Sequence, residues 1–168
     1  YGEGEKTLTL LGHTDVVPSG PVEKWTNGPF EPTERNGLLY GRGAADMKGS
    51  VAAFVVAAEE FCKKNPKPSG RLSIMLTSDE EGPARDGVKK VIKQLTDQGE
   101  KIDWCLVGEP TAEKKLGDVV KIGRRGSING VIQIQGIQGH AAYPHNAENP
   151  IHTSSKALNE IVALNWPD

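Results

Sequence analysis

The chain has 168 residues, enough for one domain and part of another, with 20 Lys and Arg against 22 Asp and Glu and a formal charge of −2. It carries no long run of either sign, which argues against nucleic acid or an anionic membrane surface as partner. No apolar stretch approaches the roughly 18–20 residues needed to span a bilayer, and Cys62 and Cys105 are isolated, without a C-x-x-C pair, which fits a reducing, cytoplasmic setting.

The chain opens Tyr1-Gly-Glu-Gly, with neither an initiator Met nor a signal-peptide pattern, and stops at ALNWPD just past a helical pattern. A piece of a longer protein is expected. KTLTLLGH (6–13) reads as a strand entering a core. Residues 18–38, rich in Pro and Gly, read as one long loop, and LLYGRG (38–43) as a short extended piece. From Asp46, DMKGSVAAFVVAAEEFCKK puts Val51, Val55, Ala58 and Cys62 on one helical face with Phe54 and Phe61 beside them. Asn65-Pro66 ends that helix.

RLSIMLT (71–77) reads as a second strand. DGVKKVIKQLTDQG follows as an amphipathic helix, with Val88, Val91, Ile92 and Leu95 inward and Gly99 at its stop. DWCLVGEP (103–110) reads as a third strand. This alternation predicts an α/β fold with a mostly parallel sheet flanked by helices. After Gly123 the pattern changes: GSINGVIQIQGIQGH alternates Ile128, Gly130, Ile132 and Ile134, the period of a half-exposed strand. Asn149-Pro150 then opens a helix carrying Ile151, Leu158, Ile161 and Val162. A boundary near residues 122–126 divides the chain into 1–123 and 124–168.

The expected strands end in metal-ligand residue types: His13 and Asp15 after LTLLG, Glu80 and Glu81 after SIMLTS, and Glu109 after CLVG. In open α/β sheets ligands bind beyond the carboxyl ends of the strands. Asp46, opening the first helix, would reach the same edge. His13 and Asp15 are two residues apart in extended chain and share a side, which suits an imidazole oriented by a carboxylate. Adjacent Glu80 and Glu81 diverge, so one can hold metal while the other meets the water before it. Each feature alone is commonly structural: H-x-D after a strand, E-E at a turn, G-x-G as a tight turn. GRGAADMKGS is not a phosphate loop, because its Lys precedes the Gly where G-K-[ST] is needed. The agreement of four segments on one edge points to metal.

At these residues the sequence resembles the di-zinc amidohydrolase and peptidase family that includes aminoacylases, glutamate carboxypeptidases and acetylornithine deacetylase. The likeness runs through LLGHTDVVPSG, WTNGPFEPTERNGLLYGRGAADMKGS, TSDEEG, LVGEPT, VVKIGRRGS and IQGIQGHAAYPHNAENPIH. It implies a catalytic zinc-binding domain over residues 1–123 and the first part of an α+β dimerisation or lid domain over 124–168. His13, Asp46 and Glu109 would hold one zinc, Asp46 would bridge to a second, and Glu81 would bind that second zinc, with cobalt as an alternative metal. Glu80 would be the general acid and base, and Asp15 would orient His13. His140 would reach a partner subunit's active site in a homodimer and stabilise the oxyanion. Arg124, Ser127 and Tyr143 match residues that contact substrate, a small anionic N-succinyl amino acid, with Arg124 on a carboxylate.

Two parts of the family pattern have no counterpart in the 168 residues: an N-terminal helix, and a distant downstream segment whose His completes the second zinc site. Two other readings stand beside this one. A related di-zinc deacylase acting on acetylornithine, another N-acyl amino acid or a dipeptide would use the same rim, and the polypeptide could be an inactive fragment or a binding and dimerising module.

Overall fold

The computed structural model describes residues 1–123, 126 and 128–165. Its elements are β1 (Thr7–His13), β2 (Thr33–Arg35), β3 (Leu38–Tyr40), α1 (Gly49–Lys64), β4 (Arg71–Thr77), α2 (Val88–Asp97), β5 (Trp104–Val107) and α3 (Pro150–Val162). Two units are distinguished, Tyr1–Lys121 and Ile122–Asp168.

The first unit is built on a parallel sheet of order β4-β1-β5. Leu8 pairs with Leu72 and Trp104, and Leu11 with Met75 and Val107. As the central strand, β1 is largely enclosed, which is why it reads as a nearly continuous apolar and Thr run. Thr9 is completely buried and its hydroxyl shares a 2.7 Å hydrogen bond with that of Ser73, so its polar atom is satisfied. Pairing continues past the strands: the Thr14 N–H donates to the Thr77 carbonyl at 2.8 Å and the Gly108 N–H to the Leu11 carbonyl at 3.0 Å. All three carboxyl ends therefore meet on one edge.

At the opposite edge, Asp103 ties the start of β1 to the approach of β5. Its carboxylate accepts from the Thr7 N–H at 2.9 Å and from Lys6 Nζ at 3.0 Å. These contacts, the Thr7 N–H foremost, hold its pKa down at about 2, against an ordinary 3.8.

The first helix starts later than its sequence suggests. Asp46 was expected to open it, but α1 begins at Gly49, and Ala44–Lys48 is a kinked turn entered through a left-handed Gly43 (φ 82°). Asp46 is extended (φ −121°, ψ 100°), and its peptide bond to Met47 is cis. A helical Asp46 would aim its carboxylate at the helix's own N-terminal amides; the extended residue frees it to turn to the sheet edge. Along α1, Val51, Phe54, Ala58 and Cys62 form the half-buried face, while Val55 and Phe61 are more exposed.

Met47 fills the junction beneath that edge. It is 1 % exposed, and its sulfur accepts the His13 N–H at 3.4 Å. A methyl group added at Gly12 would lie 2.9 Å from Met47 Cε, and one added at Gly108 would lie 2.7 Å from that atom and 2.8 Å from Phe54 Cε2. Glycine thus precedes both His13 and Glu109 where Met47, with Val51 beside Gly12 and Phe54 beside Gly108, occupies the space a side chain would need.

Residues 18–38, expected as one loop, contain a short 3-10 turn at Val22–Lys24 and strand β2. β2 pairs antiparallel with β3, Arg35 opposite Leu38. The connecting Asn36 and Gly37 both have positive φ, 54° and 75°, as a two-residue hairpin turn requires.

In the second unit, the expected strand over GSINGVIQIQGIQGH is not formed among the described residues. The segment makes only an isolated bridge between Ile137 and Glu148, and Ile128 is 99 % exposed. Alternation supplies a face, but a strand also needs a neighbour to complete its hydrogen bonds, and among the described residues of this unit Glu148 alone pairs with the segment. α3 forms as expected, with Pro150 in its first turn and Asn149 Oδ1 accepting the Ile151 N–H at 2.9 Å. Among the described residues no helix is long and apolar enough to cross a membrane.

Two measurements on the full-length polypeptide follow. Gly108→Ala should destabilise it by about 1–3 kcal/mol through overpacking, read from the denaturant midpoint; an unchanged midpoint would remove Met47 and Phe54 as the constraint. For Asp103, the depressed folded-state pKa means its stabilisation is present above pH 3.8 and is lost as pH falls towards about 2. The thermal midpoint of Asp103→Asn should therefore lie below the parent's at pH 7 and converge on it below pH 4, whereas a constant deficit down to pH 2 would contradict this assignment.

Candidate metal centre

His13 ends β1 and is 2 % exposed. Its Nδ1 lies 2.9 Å from the Asp15 main-chain carbonyl and 3.4 Å from Asp15 Oδ1. Both are acceptors, so the hydrogen-bond network assigns the proton to Nδ1. The carboxylate was expected to be this partner; the carbonyl is nearer. Asp15 Oδ2 instead accepts the N–H groups of Glu80 and Glu81 at 3.0 and 2.9 Å. Asp15 thereby joins the end of β1 to the turn after β4. Burial is the largest single influence and opposes its ionisation, but the Glu81 and Glu80 amides, its own backbone N–H and His13 together lower its pKa.

With its proton on Nδ1, His13 presents a lone pair at Nε2. That atom faces Asp46 Oδ1 at 3.0 Å and Glu109 Oε1 at 3.5 Å. Three acceptors converging without a donor repel one another unless a proton or a cation lies between them. Burial disfavours a charged imidazole, yet the Asp15 carbonyl, Asp46 and Glu109 together raise the His13 pKa above its ordinary 6.5. Burial is also the main influence raising Glu109, Asp46 adds to it, and His13 opposes it. A divalent cation resolves the same conflict more completely, and one imidazole with carboxylates is a donor set suited to zinc or a similar ion. The residues present therefore fit a metal.

Among the described residues, two groups of side chains can place one ligand atom each within 4.8 Å of one another: His13 with Asp46 and Glu109, and His13 with Glu80 and Glu81. The first unites three of the residues singled out from the sequence. The two groups share His13, whereas Asp46 was the expected bridging residue. His140 and Tyr143 lie in the second unit, their rings 5.8 Å apart. His140 Nδ1 accepts the Ala142 N–H at 3.1 Å, which leaves Nε2 as the donor of the neutral ring. Tyr143 is exposed. Arg124 and Ser127 lie outside the described residues.

Sequence reasoning passed over Met47 and Lys48. Lys48 Nζ donates to the Thr14 carbonyl at 2.6 Å and fixes the chain between His13 and Asp15 from the Asp46 side. The signal for Met47 was present in the Gly-His and Gly-Glu pairs at residues 12–13 and 108–109.

Comparison with known proteins agrees with this geometry. The pattern of peptidase family M20/M25/M40 matches residues 9–165. Over all 168 residues the chain is 58 % identical to proteins named succinyl-diaminopimelate desuccinylase from Xanthomonas euvesicatoria pv. vesicatoria (strain 85-10) and Xylella fastidiosa (strain M23), and spans 45 % of the length of each. Among solved structures, the M20 family metallo-carboxypeptidase Sso-CP2 from Sulfolobus solfataricus is similar with TM-score 0.55 and 28 % identity, over 62 % of this chain and 23 % of that one. Human carnosine dipeptidase 1 is similar with TM-score 0.51 and 28 % identity, over 61 % and 22 %. With a parallel sheet bearing His13, Asp46 and Glu109 on one edge and a family match across nearly all its length, the chain belongs to peptidase family M20/M25/M40.

Proposed function

We propose that the full-length protein hydrolyses N-succinyl-LL-2,6-diaminopimelate to succinate and LL-2,6-diaminopimelate, supplying diaminopimelate for lysine synthesis. The observation that carries the metal-dependent part is the convergence of Asp46 at 3.0 Å and Glu109 at 3.5 Å on the buried His13 Nε2. The substrate rests on the 58 % identity to the named desuccinylases. Residues 1–123 supply the catalytic metal-binding domain, and 124–168 open the dimerisation or lid domain. Cys62 and Cys105, both free thiols, fit a cytoplasmic enzyme.

His13, Asp46 and Glu109 would hold one zinc ion, and Glu81 with Asp46 a second, cobalt serving as an alternative. When bound, such a pair supplies Lewis acidity towards an amide carbonyl and lowers the pKa of water. Glu80 takes the proton of the attacking water and returns it to the leaving amine as the C–N bond breaks. Asp15 holds His13 in the tautomer that presents Nε2. In a homodimer, His140 of one subunit donates from Nε2 to the developing oxyanion at the other's site. Arg124 pairs with a substrate carboxylate, and Ser127 and Tyr143 line the substrate.

A second reading is favoured by one observation: the chain spans 45 % of its relatives' length. Taken alone, residues 1–168 would then bind metal through His13, Asp46 and Glu109 without turning over substrate. Acylated alternatives such as acetylornithine are separated by comparing kcat/KM on N-succinyl and N-acetyl substrates; a preference for the acetyl compound would reassign the substrate.

Glu80→Gln in the full-length protein should lower kcat by about 10²–10⁴-fold, the usual contribution of a general acid or base, with bound metal per chain unchanged. Loss of metal with retained turnover would make Glu80 a ligand and not the base.

A further inference from the structure

Asp79 begins the run Asp79-Glu80-Glu81 but belongs to neither group of side chains able to share a metal. Its carboxylate is engaged elsewhere. Oδ1 accepts the Ala84 N–H at 3.2 Å, and Oδ2 accepts the N–H groups of Arg85 and Asp86 at 2.7 and 2.9 Å. The segment that follows Glu81 is thus folded back onto the residue that precedes Glu80.

We propose that Asp79 is a positioning residue that fixes Glu80 and Glu81 on the metal edge by closing the 79–87 loop. Asp15 holds the two glutamates from the sheet side, by accepting their N–H groups on one oxygen. Asp79 holds the same loop from its far side, three to five residues downstream of the pair. Between the two carboxylates the Glu80–Glu81 backbone is gripped at both flanks.

The surrounding sequence is shaped to this closure. Ala84 is left-handed (φ 53°), a conformation that disfavours a residue with a Cβ, and its N–H is one of the three that Asp79 holds. A methyl group added at Gly82 would lie 2.9 Å from Asp79 Oδ1, and one at Gly87 2.9 Å from the Asp79 carbonyl oxygen. A side chain at Gly87 would thus meet the Asp79 backbone, and one at Gly82 would have to displace the Asp79 carboxylate. The acidic run at the end of β4 combines two carboxylates facing the edge with a third held by three backbone amides.

The proposal rests on the reading of Glu80 as base and Glu81 as ligand, and its test separates the two. Amide hydrogen exchange on metal-free full-length protein is measured for the parent and Asp79→Ala, together with kcat and KM after metal loading. Exchange at residues 80–86 should accelerate at least tenfold while β1 and β4 keep their protection; kcat should fall at least tenfold with KM within twofold. Asp79→Asn, which keeps one of the two acceptor oxygens, should fall between. Gly82→Ala, which displaces the carboxylate without removing it, should reproduce the pattern and serves if Asp79→Ala does not fold. Faster exchange confined to 84–86 with kcat within twofold of the parent, or uniform loss of protection across β1 and β4, would overturn the proposal. Glu80→Gln is run alongside: if it loses turnover while both loop variants keep theirs, the positioning role fails alone; if it retains turnover while the loop variants show local exchange and lose kcat, the assignment of Glu80 fails and the positioning role stands.

Discussion

The first unit is organised around a conflict of lone pairs. His13 Nε2 lies 3.0 Å from Asp46 Oδ1 and 3.5 Å from Glu109 Oε1, and with the ring proton on Nδ1 the set holds no donor. Such an arrangement is unfavourable around the buried His13 ring unless positive charge completes it, although Asp46 and Glu109 themselves keep contact with solvent. Several otherwise unusual local features serve this one meeting. Extended Asp46 ahead of α1, glycine before each of His13 and Glu109, and Asp15 gripping the Glu80 and Glu81 amides all bring carboxylates to one edge that they would otherwise leave.

The sheet makes the meeting possible because its three strands are parallel. β1, β4 and β5 each deliver their carboxyl end to the same side, and the pairing that runs past them, Thr14 to Thr77 and Gly108 to Leu11, carries the register into the loops. Met47 is the packing element under the edge and the sulfur acceptor for the His13 amide. It links the hydrophobic core to the polar site, so the geometry of the site depends on core packing as well as on the ligands. Trp104, Leu106 and Val107 of β5 stay exposed, and the first unit leaves that flank of its sheet uncovered.

Much of this was legible in the sequence where local pattern and tertiary outcome coincide. RLSIMLT is β4, TLTLLGH is β1, Asn65 ends α1 and Asn149 caps α3. The hairpin turn at Asn36-Gly37 was also written there, but the density of Pro and Gly around it hides the short strands. The kink at Asp46 was not legible: AADMKGS has the composition of a helix start, and only the tertiary placement of the Asp46 carboxylate beside His13 distinguishes it. The strand expected between residues 126 and 140 shows the converse. Its alternation is local, whereas a ladder depends on a neighbouring strand. For the site, residue types and strand ends brought together His13, Asp46, Glu80, Glu81 and Glu109. The partner of His13 Nδ1 was a finer matter, because a carbonyl and a carboxylate of the same Asp15 compete for one proton.

The central claim is that a divalent cation, and not a proton, completes the acceptor set at His13. Anomalous diffraction at the zinc edge from crystals of the zinc-loaded full-length protein tests it directly. The account predicts a peak at roughly 2.0–2.2 Å from His13 Nε2 and from carboxylate oxygens of Asp46 and Glu109, the usual zinc–nitrogen and zinc–oxygen distances. A zinc-replete crystal with no peak there, and His13 Nε2 still hydrogen-bonded directly to Asp46, would contradict it.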